Sequence, residues 1–374
     1  MNNYFNFRDF EIIKKGSQNT ILKASDNKGL FFAIKIEKKK SSSVLIPSYS
    51  APVSSSTFQS PSLRSASSCL LPPSQFYPSS SFISPPLLLK GNLKKEKEFL
   101  MDLQGIRGIP NFLFGGFDPE IERFVIIEEL TGHNLEYYFK KYKKFSISTT
   151  LKITLQIFKI LRGIHERGII HRDIKPTNLA LSQNGKDIML LDFGLAHRLT
   201  SKISENKKRK KQIKFIGDLK FCGLNAHFFK NNTKIDDLVS LGILLIYFLQ
   251  GSLNWDYREN SNFSRSAEKI WFKKVNFISQ QVPTLYPLLY PYFKYLLSAK
   301  HDSINYDYLL NVIETWAHFE QVDLTSENWD WSEEKRDSFD NNCENWENSM
   351  ENFQEESEET MVSELIINYR VPNL

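Results

Sequence analysis

Apolar positions recur along this chain with two periods. Leu151, Leu155, Phe158, Leu161 and Ile164 return every three or four residues, which is the spacing of one helix face. Ser146 or Ser148 can cap the start of that helix and Gly168 can end it. Phe10 to Glu37 alternates instead and predicts two or three strands, the last of them Phe31-Phe32-Ala33-Ile34-Lys35-Ile36-Glu37. A helical pattern runs from Asn92 to Leu100, a strand is expected at Phe124–Ile127, and Ile188–Leu191 is a short apolar run after an Asn184-Gly185 turn signal. Leu238 to Leu249 is the longest apolar stretch. It is too short to cross a bilayer and reads as a buried helix.

Two segments lack any period. Ser41 to about Pro86 is dense in Ser and Pro with few charges, so it cannot bury enough surface to offset its ordering entropy and is expected to be a disordered insert. An insertion at such a surface position is tolerated because loop-closure entropy grows slowly with length. From Asp323 onward the chain is rich in Asn, Glu and Ser with scattered Trp, and disorder is expected there too. No internal repeat is visible.

Composition narrows the picture. The 374 residues, 41% of them apolar, allow one large domain or two ordinary ones with a sizeable core. Cys69, Cys222 and Cys343 lie far apart and show no metal spacing, so neither disulfides nor a zinc site are expected. The first residues lack a secretory layout. A reducing setting, cytoplasmic and/or nuclear, and no membrane partner are expected. The net charge of +5 is unevenly spread. From Gln321 on there are fifteen Asp/Glu against three Lys/Arg, a net of −12, so the preceding residues carry +17. A basic body with an acidic tail suggests either a cis interaction between them or acidic partners; a solvated surface is the plainer alternative. No aromatic–basic motif points to nucleic acid.

The strongest chemical signal is His171-Arg172-Asp173-Ile174-Lys175-Pro176-Thr177-Asn178, with Asp192-Phe193-Gly194 fourteen residues after Asn178. Together they resemble the catalytic loop and metal-binding triplet of protein kinases. That resemblance implies an α+β, bilobal fold, with a small β-rich lobe carrying helix C and a large, mainly helical lobe. It implies ATP and Mg²⁺ as cofactors. Asp173 would accept the proton of a substrate hydroxyl, Lys175 would meet the γ-phosphate, and Asn178 and Asp192 would hold Mg²⁺. A lysine two residues after the aspartate is the pattern of Ser/Thr rather than Tyr kinases. Lys35 would contact the α- and β-phosphates and pair with Glu96. Gly16, Ile21, Ala33, Ile127, Glu128 and Leu130 would complete the ATP site, with Glu128 to Gly132 as the hinge between lobes.

Further segments are similar to one branch, casein kinase 1 with its tau-tubulin and vaccinia-related cousins. They are Glu96 with Gln104-Gly105 and Gly108-Ile109-Pro110; Gly217 with Asn225-Ala226-His227; and Asp236 to Gly242 followed by Leu253-Asn254-Trp255. Tyr292-Phe293 and Tyr306-Asp307-Tyr308-Leu309 resemble the branch's closing helices. The likeness implies lobes at residues 1–131, with an insert at about 41–90, and 132–318, then an acidic disordered tail at 319–374. Asp237 would brace the catalytic loop. Lys220, Arg172 and Arg198, with Arg258 nearby, would receive acidic or phosphorylated protein substrates.

The chain departs from the family in places. Lys14-Lys15-Gly16-Ser17-Gln18-Asn19 keeps only the middle of three glycines that let backbone approach phosphates. Asp218 stands where the family has threonine, and could either disable Lys175 or hold it. The run Lys207 to Lys211 reads as a substrate-steering patch, a nuclear import signal or a solvated loop. Two functions therefore compete: an active kinase, and an inactive scaffold. The acid-flanked Ser357 and Thr360 could dock in cis.

Overall fold

The structure is a computed structural model that describes residues 4–16, 19–38, 92–119, 121–199, 215–228, 232–255, 263–300, 303–332 and 370–372. Lys39–Ser84, most of the Ser/Pro-rich stretch, is a unit apart from the rest of the chain; it lies outside the described residues, and so do Lys207–Lys211, Arg258 and most of the acidic tail. In order, the first elements are β1 (Tyr4–Asn6), β2 (Arg8–Lys15), β3 (Asn19–Ser25), β4 (Phe31–Glu37), α1 (Leu93–Leu103), β5 (Phe112–Asp118) and β6 (Arg123–Glu129). Strands β2-β3-β4-β6-β5 form one antiparallel sheet.

Register decides which side chains face the interlobe cleft. Lys35 lies opposite Ile21 and Ile126, and Ala33 lies opposite Glu128. Cross-strand partners share a face, so Ile21, Ala33, Lys35, Ile126 and Glu128 look the same way. The other face holds Leu22, Ile34, Ile36, Val125 and Ile127 in a separate apolar cluster with Phe7 and Phe32. Ile127, expected in the nucleotide pocket, therefore points away from it. A one-residue offset reverses a strand's faces, and Glu128 takes the inward place.

Helix α1 starts at Asn92, whose side chain accepts from the Lys94 amide, and buries Leu93, Glu96, Phe99, Leu100 and Leu103. That stripe at helical spacing carries Glu96 inward with the apolar residues. Gly108 follows at φ 92°, where a Cβ would meet Ile160 Cδ1 at 2.4 Å and the Ile188 carbonyl at 2.8 Å. Gly108→Ala is expected to cost about 2–4 kcal/mol through overpacking and left-handed strain. Urea denaturation reads this directly, and a loss below about 0.5 kcal/mol, ordinary for surface sites, would contradict the tight contact.

The second lobe contains α2 (Leu135–Tyr142), α3 (Ile147–Glu166), β7 (Ile169–Ile170), β8 (Leu179–Leu181), β9 (Ile188–Leu190), β10 (His197–Arg198), α4 (Lys234–Gln250), α5 (Phe263–Asn276), α6 (Val282–Leu285), α7 (Tyr290–Ser298) and α8 (Tyr306–Phe319). This is the bilobal, β-then-α architecture. Ser146, not Ser148, caps α3 by accepting from the Thr149 amide. Helix α4 is buried nearly all round behind a Thr233–Asp236 capping box. Among the described residues no helix is long and apolar enough to cross a membrane.

The globular part does not end at residue 318. Val322 and Leu324 pack on the core, and Trp329 and Trp331 are 5% and 3% exposed within it. Trp331 stacks on Tyr138 with ring centroids 4.3 Å apart, and Trp329 donates to the Gly185 carbonyl. The Asp330 carboxylate accepts from the Ser146 amide at 2.7 Å and the Thr149 hydroxyl at 2.8 Å. Buried Lys152 donates to the Asn328 carbonyl. Residues 320–332 thus form a strap over the start of α3, which corrects the expected disorder there. Farther on, β11 (Arg370–Pro372) pairs antiparallel with β1.

Candidate active site

The catalytic loop hangs from Asp237 in the first turn of α4. Its Oδ2 accepts from the His171 amide at 2.7 Å and its Oδ1 from the Arg172 amide at 2.8 Å. Buried His165 donates through Nε2 to the same carboxylate, and its Nδ1 lies 2.7 Å from the Tyr306 hydroxyl. Burial pushes the Asp237 carboxyl up, but these bonds and the nearby imidazoles hold it below the usual carboxylate range. Sequence analysis did not single out His165.

Fixed at both ends, Arg172 tolerates a left-handed φ of 70°. Its guanidinium donates to the Leu195 carbonyl at 2.6 Å and the Ala196 carbonyl at 3.3 Å, just past the Asp192 triplet. Non-glycine backbone of this kind persists where the surroundings over-determine it.

Asp173 is buried. Its Oδ2 pairs with Lys175 Nζ at 2.7 Å and accepts from Asn178 Nδ2 at 2.9 Å, while Oδ1 has no partner among the described residues. Burial raises the Asp173 carboxyl, against the pull of Lys175. Asn178 Nδ2 also donates to the Asp173 carbonyl, which leaves its amide oxygen as the atom suited to a hard cation. Asp192 sits at φ 64° with Oδ1 accepting from the Gly194 amide at 3.2 Å. Phe193 is fully buried, edge-on to His171 at 5.0 Å.

Across the cleft Lys35 meets two carboxylates, Glu96 at 2.6 Å and Glu128 at 2.8 Å. Burial works against its charge, but Glu128 and then Glu96 outweigh it and keep the amine protonated. Burial lifts the Glu96 carboxyl to about 7, with Lys35 opposing and the Asp192 and Glu128 charges adding. After Glu128 the chain crosses between lobes. Glu129 turns to Asn111, whose Nδ2 donates to it at 2.8 Å; Leu130 is half-buried; the Gly132 amide donates to the Leu181 carbonyl at 2.7 Å. The Gly16 amide donates to the Asn19 carbonyl at 2.9 Å; Ser17 and Gln18 lie outside the described residues.

The three cations expected to share an anion pocket have separate engagements. Arg172 is occupied as above. Arg198 pairs with Asp102 at the end of α1. Lys220 Nζ sits over the Tyr247 ring at 4.1 Å. Asp218 does not pair with Lys175 among the described residues. Its carboxylate accepts from the Lys220 amide at 2.7 Å and its carbonyl from the Cys222 amide, which shapes a turn. Its charge adds, behind Asp173, to the influences that raise Lys175 against burial.

Below that turn is a buried polar cluster that sequence analysis missed. Lys274 of α5 is fully buried and donates to the Leu219 carbonyl at 2.9 Å and the Cys222 carbonyl at 2.7 Å. His227 donates through Nδ1 to the Ala267 carbonyl, and Cys222 Sγ lies 3.4 Å from its Nε2. Asn225 is anchored to Asp236 by two bonds of 3.0 Å. Burial, then the Lys274 charge, pushes His227 down from 6.5 to about 2. The unfolded chain therefore takes up this proton first, and the folded state loses stability as pH falls below about 6.5, by up to about 1.4 kcal/mol per pH unit. His227→Asn should be less stable at pH 7 but should flatten the fall in urea midpoint between pH 6.5 and 4.5. Equal slopes in variant and parent would refute the assignment.

Comparison with known proteins agrees with this geometry. The family model "Protein kinase domain" matches residues 93–344, from the start of α1 through the strap and beyond. Casein kinase I homolog 3 of Saccharomyces cerevisiae is 29% identical over 260 residues, which cover 59% of this chain and 49% of that relative. The chain thus spans about half the length of the curated relative it matches. A catalytic loop held by Asp237, a buried Lys35–Glu96 pair and a family match that spans the described second lobe agree: the chain belongs to the protein kinase domain family.

Proposed function

We propose that the protein is a Ser/Thr protein kinase that transfers the γ-phosphate of ATP to acidic or already phosphorylated protein substrates. The observation that carries this is Asp173, a buried carboxylate with one oxygen bonded to Lys175 and Asn178 and the other unpartnered. Oδ1 is positioned to take the proton of an attacking hydroxyl as its oxygen bonds to the γ-phosphorus and the bond to the β-phosphate oxygen breaks. Lys175 lies beside the transferred group and Lys35 holds the inner phosphates.

The residues present fit Mg²⁺. Asn178 and Asp192 offer oxygen ligands only, and few protein ligands suit an ion that keeps its waters and binds phosphates. When bound, Mg²⁺ would neutralise charge on the phosphates. No larger acidic or His/Cys group able to hold a metal occurs among the described residues.

Preference for acidic substrates rests on the +17 carried before the tail. The scaffold reading rests on Lys14, Asn19 and Asp218; Lys175 pairing with Asp173 rather than Asp218 favours activity. Cis docking of the acidic tail is tested by trimming residues 336–374, which spares the strap. The central experiment is transfer of labelled phosphate from ATP to an acidic serine peptide, with Mg²⁺ or with EDTA. Mg²⁺-dependent transfer is expected. No transfer, together with no rise in Tm at millimolar nucleotide, would leave the scaffold reading, because a ligand that binds only the folded state must stabilise it.

A further inference from the structure

Glu128 has a polar atom that no described residue uses. Its side chain is 5% exposed, Oε1 is bonded to Lys35, and Oε2 is buried without a partner among the described residues. A buried carboxylate oxygen left without a donor is costly, so its position implies a donor that arrives with a ligand. Three features say which kind. Glu128 shares the cleft-facing side of the sheet with Ala33 and Lys35. It is the last inward residue before the interlobe connector at Glu129–Gly132. Lys35, with three N–H groups, uses two on carboxylates and keeps one for a phosphate oxygen. On the reading above, a nucleotide with its phosphates at Lys35 and Asp192 and its base against the connector brings an edge of the base past Oε2.

We infer that Glu128 is a specificity-determining residue whose free oxygen accepts a hydrogen bond from the exocyclic amino group of adenine. A base with a carbonyl there would set acceptor against carboxylate. A polar site built for a donor strongly rejects an analogue that lacks it. The inference rests on the proposed nucleotide site and adds a side chain to it.

The test is binding to the full chain with Mg²⁺, read by displacement of a fluorescent ADP analogue. ATP, GTP and the triphosphate of purine riboside, which has no amino group, are compared on the parent protein, Glu128→Gln and Glu128→Leu. In the parent, ATP should bind at least about tenfold tighter than either competitor, the worth of one well-placed hydrogen bond to a charged group. The Leu variant should narrow the preference over the deamino analogue by about tenfold, and the Gln variant, whose amide can accept or donate, should gain GTP affinity. Equal affinity of ATP and the deamino analogue for the parent overturns the inference without any variant. So does an unchanged ratio in Glu128→Leu. Failure of every nucleotide to bind the parent instead overturns the kinase reading, and the inference with it.

Discussion

Asp173→Asn is expected to lower kcat by roughly 10²–10⁴, the usual worth of a positioned general base, with little change in the KM for ATP. The substitution preserves shape, and Asn178 can still bond the remaining oxygen. It removes the charge that draws in the hydroxyl proton and the partner that fixes Lys175 at 2.7 Å. Both losses act on the transition state, so kcat and kcat/KM should fall together. Asp192→Asn should be as severe, but should also raise the Mg²⁺ concentration needed for nucleotide binding. A variant at Asp173 that kept more than about a tenth of the parent rate would contradict its role as base.

The second large effect concerns stability. Truncation after Gln321 should remove most of the folding free energy, whereas truncation after Lys335 should leave the urea midpoint near the parent's. The shorter chain loses Trp329 and Trp331, and large aromatic deletions cost about 3–5 kcal/mol each. It also uncovers Lys152 and leaves the α3 cap without Asp330. A domain has only about 5–15 kcal/mol in hand, so aggregation of the shorter chain is the expected outcome. Both truncations lose the three-residue pairing of β1 with β11, which is too short to matter much. Trp331→Ala alone should cost about 3–5 kcal/mol. Equal midpoints for the two truncations would show that the strap only rests on the surface.

The catalytic loop was legible because phosphoryl transfer dictates residue types at fixed spacing, and no fold is needed to see them. Glu96 was legible through its spacing to Gln104-Gly105 and Gly108-Ile109-Pro110, which resembles the family; that it lies on the buried stripe of α1 is what the fold adds. Glu128 was placed in the hinge but its inward side chain was not foreseen. The run Phe124-Val125-Ile126-Ile127 is apolar on both faces, so alternation gives no register, and only its pairing with β4 shows that Ile127 points outward. The strap was hidden by its acidic neighbourhood. Composition averages over a segment, while two tryptophans and one carboxylate do the holding. Lys274 follows another lysine on a helix and reads as solvent-facing; only the fold reveals the carbonyls that surround it.

The strap also has a consequence for synthesis. Its bonds to the start of α3 join residues 181 and 184 positions apart. A ribosome adds about 5–20 residues each second, so roughly 10–35 s pass between the appearance of the α3 cap and that of Asp330. Through that interval the Tyr138 ring lacks Trp331 and the Lys152 ammonium lacks the Asn328 carbonyl. The nascent protein is most exposed to misassociation when the lobe is otherwise nearly complete, and a stall just before Trp329 would prolong that state.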